Sequence, residues 1–348
     1  MLPDAYVTFV ERAVVFDHVS GDCILMALHS GGDDPDLDQA TIQWCNETEQ
    51  KIAALASAPP APSKPLPYPP HEQVEQVFTF RHNRQAYLGL IDHCKELIAA
   101  GQTYEVCLTN MVTYPHSLDP LETYRRLRTQ ARVPFGALLR CGTYSVLSAS
   151  PERFLSVDTD GHVAATPIKG TRPRSHNPQE DEDLRRDLKE SEKDRAENLM
   201  IVDLLRNDLS IVCEPGSVQV PCLFDVESYP SVHQLVSTVT GRLRSDASTI
   251  DCVRAAFPGG SMTGAPKIRT LEIIDTLEGG PRGIYSGAIG WFSPNGAADL
   301  SIVIRTLVVE RTQATFGVGG AITHLSVPEC EWEETLVKAR TIASSILQ

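Results

Sequence analysis

Two stretches of this 348-residue chain carry carboxylates three residues apart. In SEKDRAENLMIVDLLRNDL they are Asp194 and Glu197; in PECEWEETLVKAR they are Glu331 and Glu334. On helices, residues at that spacing share a face. Two such helices could build a Mg²⁺ site, because hard cations take oxygen ligands and Mg²⁺ keeps positions open for substrate oxygens. Acidic residues in a first helical turn also suit the helix dipole with no metal at all. Anion-holding features stand beside them. PGGSMTGAPK (258–267) is a glycine-rich turn with hydroxyls on Ser261 and Thr263, ending at Lys267 ahead of a helix. Such a turn can bring backbone N–H groups to an anion, although the Walker A spacing is missing. FGVGGAI (316–322) is a second glycine turn, and Arg305 in DLSIVIRT is expected on a strand between apolar neighbours. Together these suggest a dicarboxylate held partly by metal and partly by N–H groups.

The elements that must position these groups are legible in outline. AYVTFV, RAVVFDHV and CILMAL, within residues 5–28, read as strands, and 37–56 as a helix. Seven of the twelve residues from Pro59 to Pro70 are proline, which implies an extended connector. RQAYLGLIDHCKELIAAG reads as an amphipathic helix closed by Gly101, followed by the strand YEVCLTNMVTY. SVLSASPERFLSV and VAATPIKGT look like antiparallel strands, 179–208 largely helical, VHQLVSTVTGRL a strand and IRTLEIIDTLE a helix. IYSGAIGWFS and DLSIVIRTLVVE read as paired strands before a terminal helix. This mixture predicts an α+β fold, an antiparallel β-sheet sandwich with helices packed outside. Three regions are expected: a partial N-terminal region over 1–56, a proline-rich linker over 57–75 and a catalytic domain over 76–348.

Composition narrows the partners. With 45 Asp and Glu against 31 Lys and Arg, the formal charge is −14, which argues against nucleic acid as a partner. No apolar run is long enough to span a membrane and no signal peptide opens the chain. Nine dispersed cysteines without a CxxC pair fit a reducing, cytoplasmic compartment.

ASPERF, PIKGTRPR, ENLMIVDLLRNDL, GGSMTGAPK, YSGAIGWF, DLSIVIRT and the EWEET helix, in this order, resemble the chorismate-utilising enzymes, from about residue 80 to the end. These include the large subunits of anthranilate and aminodeoxychorismate synthases and the isochorismate and salicylate synthases. The resemblance implies that Glu197 and Glu334 ligate Mg²⁺, with Asp194 and Glu331 acting through waters, and that the metal holds the ring carboxylate of chorismate. It implies that Arg305 and the backbone of Gly319 and Gly320 hold the enolpyruvyl carboxylate, that Thr263, Gly264 and Tyr285 line the pocket, and that Lys267 gives electrostatic support.

Within the family, the water-adding isochorismate and salicylate synthases place an activating lysine where this chain has Glu105, and a general-acid glutamate four residues before the glycine of the xAGT turn, here Thr166. Anthranilate synthases carry PIAGT; aminodeoxychorismate synthases carry PIKGT, as here, with a nucleophilic lysine. Lys169 is therefore expected to add to the ring before ammonia does, turning one hard substitution into two easier ones. It must attack as the neutral amine, so burial or Arg172, Arg174 and Lys267 are expected to depress its pKa. The implied activity is conversion of chorismate and ammonia to 4-amino-4-deoxychorismate, for folate or another 4-aminobenzoate-derived product. Since no GxCxG elbow occurs, a separate glutamine amidotransferase subunit would supply the ammonia. Anthranilate synthase component I is the alternative within the family, and a degenerate chorismate-binding subunit the alternative outside catalysis.

Two departures stand out. Where the family has a catalytic His before LVS, this chain has Gln234, with His233 one residue earlier and so on the opposite strand face. Gln cannot shuttle a proton, which leaves the donor for the departing hydroxyl unassigned. The chain is also expected to begin part-way into the N-terminal region of longer relatives.

Overall fold

The computed structural model describes residues 2–28, 35–56, 64, 66–229 and 232–347. The chain forms two compact units, Met1–Lys64 and Pro65–Gln348. In the first, β1 (Arg12–Phe16) pairs antiparallel with β2 (Cys23–Ala27), and α1 spans Pro35–Ala56. The hairpin turn is held by Asp17 Oδ1, which accepts from the amides of Val19 and Ser20. AYVTFV does not form the third strand expected of it. Its β-branched residues favour extended backbone, but a strand also needs an edge to pair with.

The second unit begins with α2 (His71–Val77), β3 (Thr79–Phe80), α3 (Arg84–Ala99), β4 (Glu105–Tyr114) and α4 (Pro120–Gln130). Residues 57–63 and 65 of the expected linker lie outside the described residues, and its last part is corrected: 71–75 are helical. Next come β5 (Phe135–Arg140), β6 (Ser145–Ser150), β7 (Arg153–Val157), β8 (His162–Ala165), β9 (Ile168–Pro173), α5 (Pro178–Glu190), α6 (Glu192–Ser210), β10 (Gln219–Ser228), β11 (Val232–Arg242) and α7 (Thr249–Ala256). A 3-10 turn at Gly260–Met262 leads to β12 (Gly264–Ala265), α8 (Lys267–Glu278), β13 (Ala288–Phe292), β14 (Ala298–Ile302), β15 (Thr306–Val309), β16 (Ala314–Ile322) and α9 (Pro328–Ile346).

The strands build two antiparallel seven-stranded sheets. One has the order β12-β4-β16-β15-β6-β5, with β3 also on β4; the other runs β10-β11-β8-β7-β14-β13, with β9 also on β11. This is the mixed α+β, antiparallel architecture that the strand pattern implies. Alternation along β4 sorts its side chains. Val106, Leu108 and Val112 join the apolar core made with α3, α8 and α9, while Cys107 joins a second core with β7, β8, α6 and α7.

The chain crosses between the two seven-stranded sheets four times, and the last crossing corrects an expectation. DLSIVIRTLVVE is not one strand: β14 ends at Ile302 in one sheet and β15 starts at Thr306 in the other. Arg305 sits in the crossing, not on a strand, with φ +48°. The first crossing, from β6 to β7, is Pro151-Glu152. The two lie side by side, since the Ala149 amide donates to Arg305 O at 3.1 Å and the Ile302 amide to Glu152 O at 3.1 Å.

Candidate active site

Lys169 is aimed by an irregularity in its strand. β9 pairs with β11 through Ile168↔Val236 and Thr171↔Gln234, so three steps on β9 oppose two on β11. The extra residue makes a bulge at Lys169-Gly170, where Gly170 has φ +83°. Bulges turn a side chain away from the sheet's normal alternation, and glycine takes that φ without strain. Gly170 also has to lack a side chain, because a Cβ there would lie 2.8 Å from Asp194.

The redirected Lys169 Nζ donates to Glu105 Oε1 at 2.8 Å, across to the first residue of β4 in the other sheet. The Glu105 side chain is 0% exposed and that of Lys169 11%. Burial opposes the lysine's charge, but the carboxylates of Glu105 and then Glu197 outweigh it and raise its pKa. The expected depression is therefore not seen, for a plain reason. Arg172 is paired with Asp187 and Asp194, Arg174 with Asp181, and Lys267 with Asp208, so none of these cations faces Lys169 unneutralised.

Beside the pair sits a group that sequence reasoning missed. Glu152, in the β6–β7 crossing, is buried, and burial pushes its carboxyl up to about 7 against the lowering influence of Ser261, Lys169, the Ile168 amide and Arg305. The available signal was an acidic residue two positions after a strand buried at all six positions. Arg305, in the neighbouring crossing, makes no hydrogen bond or ion pair with its guanidinium among the described residues. Burial lowers its pKa. A guanidinium without a counter-ion in a mostly buried position is suited to an arriving carboxylate.

The helix carboxylates also come within electrostatic reach of Lys169. Ser191 caps α6, its Oγ accepting from the Asp194 amide, and Pro328 opens α9. The two helices do meet. Lys193 Nζ lies 3.8 Å from Glu197 Oε1 and 3.4 Å from Glu331 Oε1, while Glu334 pairs with Lys338 at 2.7 Å. Glu197 is pushed up to about 7 by burial, and its Oε1 has no hydrogen-bond partner. Burial would raise Glu334 too, but Lys338 and more weakly Lys193 and Lys169 bring it below the ordinary carboxylate value.

A family model described as chorismate binding enzyme matches residues 1–344. The chain belongs to the chorismate-binding enzyme family. It is 50% identical over 347 residues to the aminodeoxychorismate synthase of Streptomyces pristinaespiralis, a match covering 100% of this chain and 48% of that protein. The chain thus spans about half the length of that relative. It is 47% identical over 341 residues to aminodeoxychorismate synthase component 1 of Salmonella typhimurium, covering 98% of this chain and 70% of that one. Among solved structures, anthranilate synthase component I from Streptococcus pneumoniae superposes with a TM-score of 0.79 at 31% identity, covering 95% of this chain and 72% of that one.

The chorismate-binding family implies Mg²⁺, and the residues here fit a hard cation. Glu197 offers an orphaned buried oxygen, and the Lys193 ammonium stands in for a cation between Glu197 and Glu331. Gly320 leaves space that a Cβ would take, 3.2 Å from Glu331 Oε2 and 3.8 Å from Glu334 Oε1. Asp194 is the outlying member, bound to Arg172 at 3.1 Å. These oxygens surround Lys193 and are not closed on one point. Among the described residues only Asp158, Asp160 and His162, on an exposed turn, bring three ligand atoms within 4.8 Å.

The glycine-rich segment has a different role from the expected anion cradle. Its Met262 and Thr263 amides are bonded to Gly259 O and Gly260 O, and Thr263 O accepts from the Cys107 amide at 2.9 Å. Gly264 pairs with Val106 and Ala265 with Glu105, so the segment clamps the start of β4. Lys267 donates to Asp208 Oδ2 at 2.7 Å and to Ala256 O at 3.0 Å, which ties α8 to α6 and α7. Arg282 completes the clamp through Met262 O, Cys107 O and the buried Glu278. Gly264 has φ +128°, and a Cβ there would lie 2.0 Å from Glu105 O. Gly264→Ala should therefore lower unfolding stability by about 3 kcal/mol or more in chemical denaturation.

The remaining expected residues are distributed as follows. Tyr285 packs over Gly317, where a Cβ would meet the ring at 2.3 Å. Gly319 O accepts from Lys338 Nζ at 2.7 Å, and Gly320 lies against Glu331 and Glu334, so both glycines border the α9 carboxylates. Gln234 is buried on β11 opposite Thr171 of β9. His233 engages Asp181 at 3.1 Å and Ser228 at 2.8 Å. Thr166 falls in the link between β8 and β9. Two surface clefts, one bordered by Asp203, Arg206 and Glu214 and the other by Asp158, Thr240 and Trp291, lie away from these residues. No helix among the described residues is long and apolar enough to cross a membrane.

Proposed function

We propose that this chain is the chorismate-aminating part of an aminodeoxychorismate synthase, converting chorismate and ammonia to 4-amino-4-deoxychorismate and water. The observation that carries the reading is Lys169, an amine turned by the β9 bulge into a buried site beside the unpaired Arg305 and the protonatable Glu152. In this reading Arg305 binds one substrate carboxylate. The Lys169 amine bonds to ring carbon C2, the two ring double bonds shift, and the C4–O bond breaks. Glu152 gives its proton to the departing hydroxyl, which leaves as water. Ammonia then bonds to C4, the double bonds shift back, and the C2–N bond to lysine breaks.

Glu197 and Glu334, with Asp194 and Glu331 outside them, would hold Mg²⁺, which when bound neutralises the second carboxylate of the substrate. Glu152 also supplies the acid that Gln234 cannot, so one half of the argument against the water-adding branch falls away. The other half, Glu105 in place of the activating lysine, still favours amination, and Lys169 in place of the small residue of anthranilate synthases favours amination at C4. The name component 1 borne by the Salmonella typhimurium relative supports a second component, for which a glutamine amidotransferase supplying ammonia is the natural chemistry.

The test incubates the protein with chorismate, Mg²⁺ and ammonium, with and without an aminodeoxychorismate lyase. Formation of 4-aminobenzoate and pyruvate only when the lyase is present is the expected outcome. Anthranilate fluorescence without lyase would assign the chain to the other amination, and no consumption of chorismate would make it a binding subunit.

A further inference from the structure

We infer that Glu105 is the proton acceptor that turns Lys169 into a nucleophile and later returns the proton, an inference that rests on the proposed covalent role of Lys169. The geometry carries it. Glu105 Oε1 accepts from Lys169 Nζ at 2.8 Å, its side chain is 0% exposed, and its Oε2 has no hydrogen-bond partner. Its position is fixed from the backbone: Glu105 O accepts from Thr103 Oγ1 at 3.0 Å, and β12 pairs along the same residue. Gly264 lets that approach happen, since any side chain there would collide with Glu105 O.

In water, moving a proton from an ammonium to a carboxylate is uphill by about six pH units. Burial penalises both charged partners of the ion pair and neither neutral one, which works against the carboxylate attraction that keeps the proton on Lys169. A dianionic substrate adds negative charge that still holds the proton on the pair, and the transfer must then be local. No other base is bonded to Lys169 among the described residues. Glu197 of α6, Cys107 of β4, Glu152 and Glu334 act on it or are acted on by it only at longer range. On the β11 side His233 is turned to Asp181.

The proton count closes over the cycle. The Lys169 ammonium gives one proton to Glu105. The free amine lone pair forms the C2–N bond, and the adduct nitrogen becomes a secondary ammonium. Glu152 loses its proton to the hydroxyl leaving C4. Ammonia adds at C4, the C2–N bonding pair returns to lysine as a neutral amine, and Glu105 returns the proton to it. The new C4 ammonium gives one proton to Glu152, which restores the starting state and releases the amine product.

The experiment measures the rate of the Lys169 adduct by intact mass after acid quench, with chorismate and Mg²⁺ but no ammonia. It compares the wild-type chain, Glu105→Gln and Glu105→Asp between about pH 6 and 9. Taking the ratio of variant to wild-type rate cancels the other ionisations. Glu105→Gln keeps the shape but not the base, and should form the adduct about a hundredfold more slowly at pH 7, with chorismate affinity within about threefold. Its ratio should climb about tenfold per pH unit, because hydroxide or solvent must then take the proton. Glu105→Asp keeps a base one methylene farther away, so its ratio should be lower than one but level with pH. A Gln variant with the wild-type rate and pH profile, or an Asp variant whose ratio climbs as steeply as expected for Gln, overturns the role of Glu105 while leaving the Lys169 adduct intact. Absence of any adduct in the wild-type chain overturns the reading on which it rests.

Discussion

Lys169→Gln should cut aminodeoxychorismate formation by roughly a thousandfold or more while the protein stays folded, because no second amine can take over. Lys267 is bound to Asp208 and Ala256 O, Lys193 lies between Glu197 and Glu331, and Lys338 is bound to Gly319 O and Glu334. The choice of glutamine matters. Lys169→Ala would leave Glu105 buried with no donor, and breaking a buried pair from one side costs about 3–5 kcal/mol. Lost activity would then be confounded with lost fold. Glutamine can still donate to Glu105 but cannot form a bond to the ring. A normal thermal midpoint, unchanged chorismate affinity within a few fold and no covalent mass increase are the accompanying readouts. Undiminished product from this variant would remove lysine from the mechanism.

How far such a site is legible in sequence can be judged residue by residue. The i, i+3 carboxylates were readable because helical periodicity is local, and so was the strand carrying Lys169. That α6 and α9 meet at Lys193 depends on how both helices pack, which no local pattern encodes. Arg305 differs, because its place depends on where a strand ends. DLSIVIRTLVVE has continuous β propensity, but a run of apolar residues does not reveal that it leaves one sheet and enters another at 303–305. Lys267 is a different case. A lysine closing a glycine-rich turn looks like an anion anchor until the buried Asp208 is placed beside it. The direction of the Lys169 pKa shift is hidden from the sequence for a related reason. Its cationic sequence neighbours are neutralised elsewhere, while its carboxylate partner lies 64 residues away.

Glu152→Gln should lower the rate by about a hundredfold to a thousandfold and remove one limb of the pH profile. The sheet crossings that carry Glu152 and Arg305 explain why this acid is where it is. Each sheet can bury its facing side chains only by ending strands at the seam, and the chain passes from β6 to β7 and from β14 to β15 there. The crossing residues, Glu152 and Arg305, are thereby buried and mostly buried, respectively, without belonging to either hydrogen-bonded ladder's interior. Burial then acts oppositely on the two. It favours the neutral acid and pushes Glu152 up to about 7, and it lowers the pKa of Arg305, whose charge is left without a partner until an anion arrives. A proton donor works only while protonated, so in the wild-type enzyme the rate should fall as pH rises through about 7, approaching tenfold per unit above it. Glutamine has no proton to give, so the variant's residual rate should lack that fall. Its acid-quenched protein should also carry little Lys169 adduct, because the C4–O bond cannot break without a proton for its oxygen. If the falling limb instead survives in Glu152→Gln, the group that titrates there is another one, and Glu152 is not the proton donor.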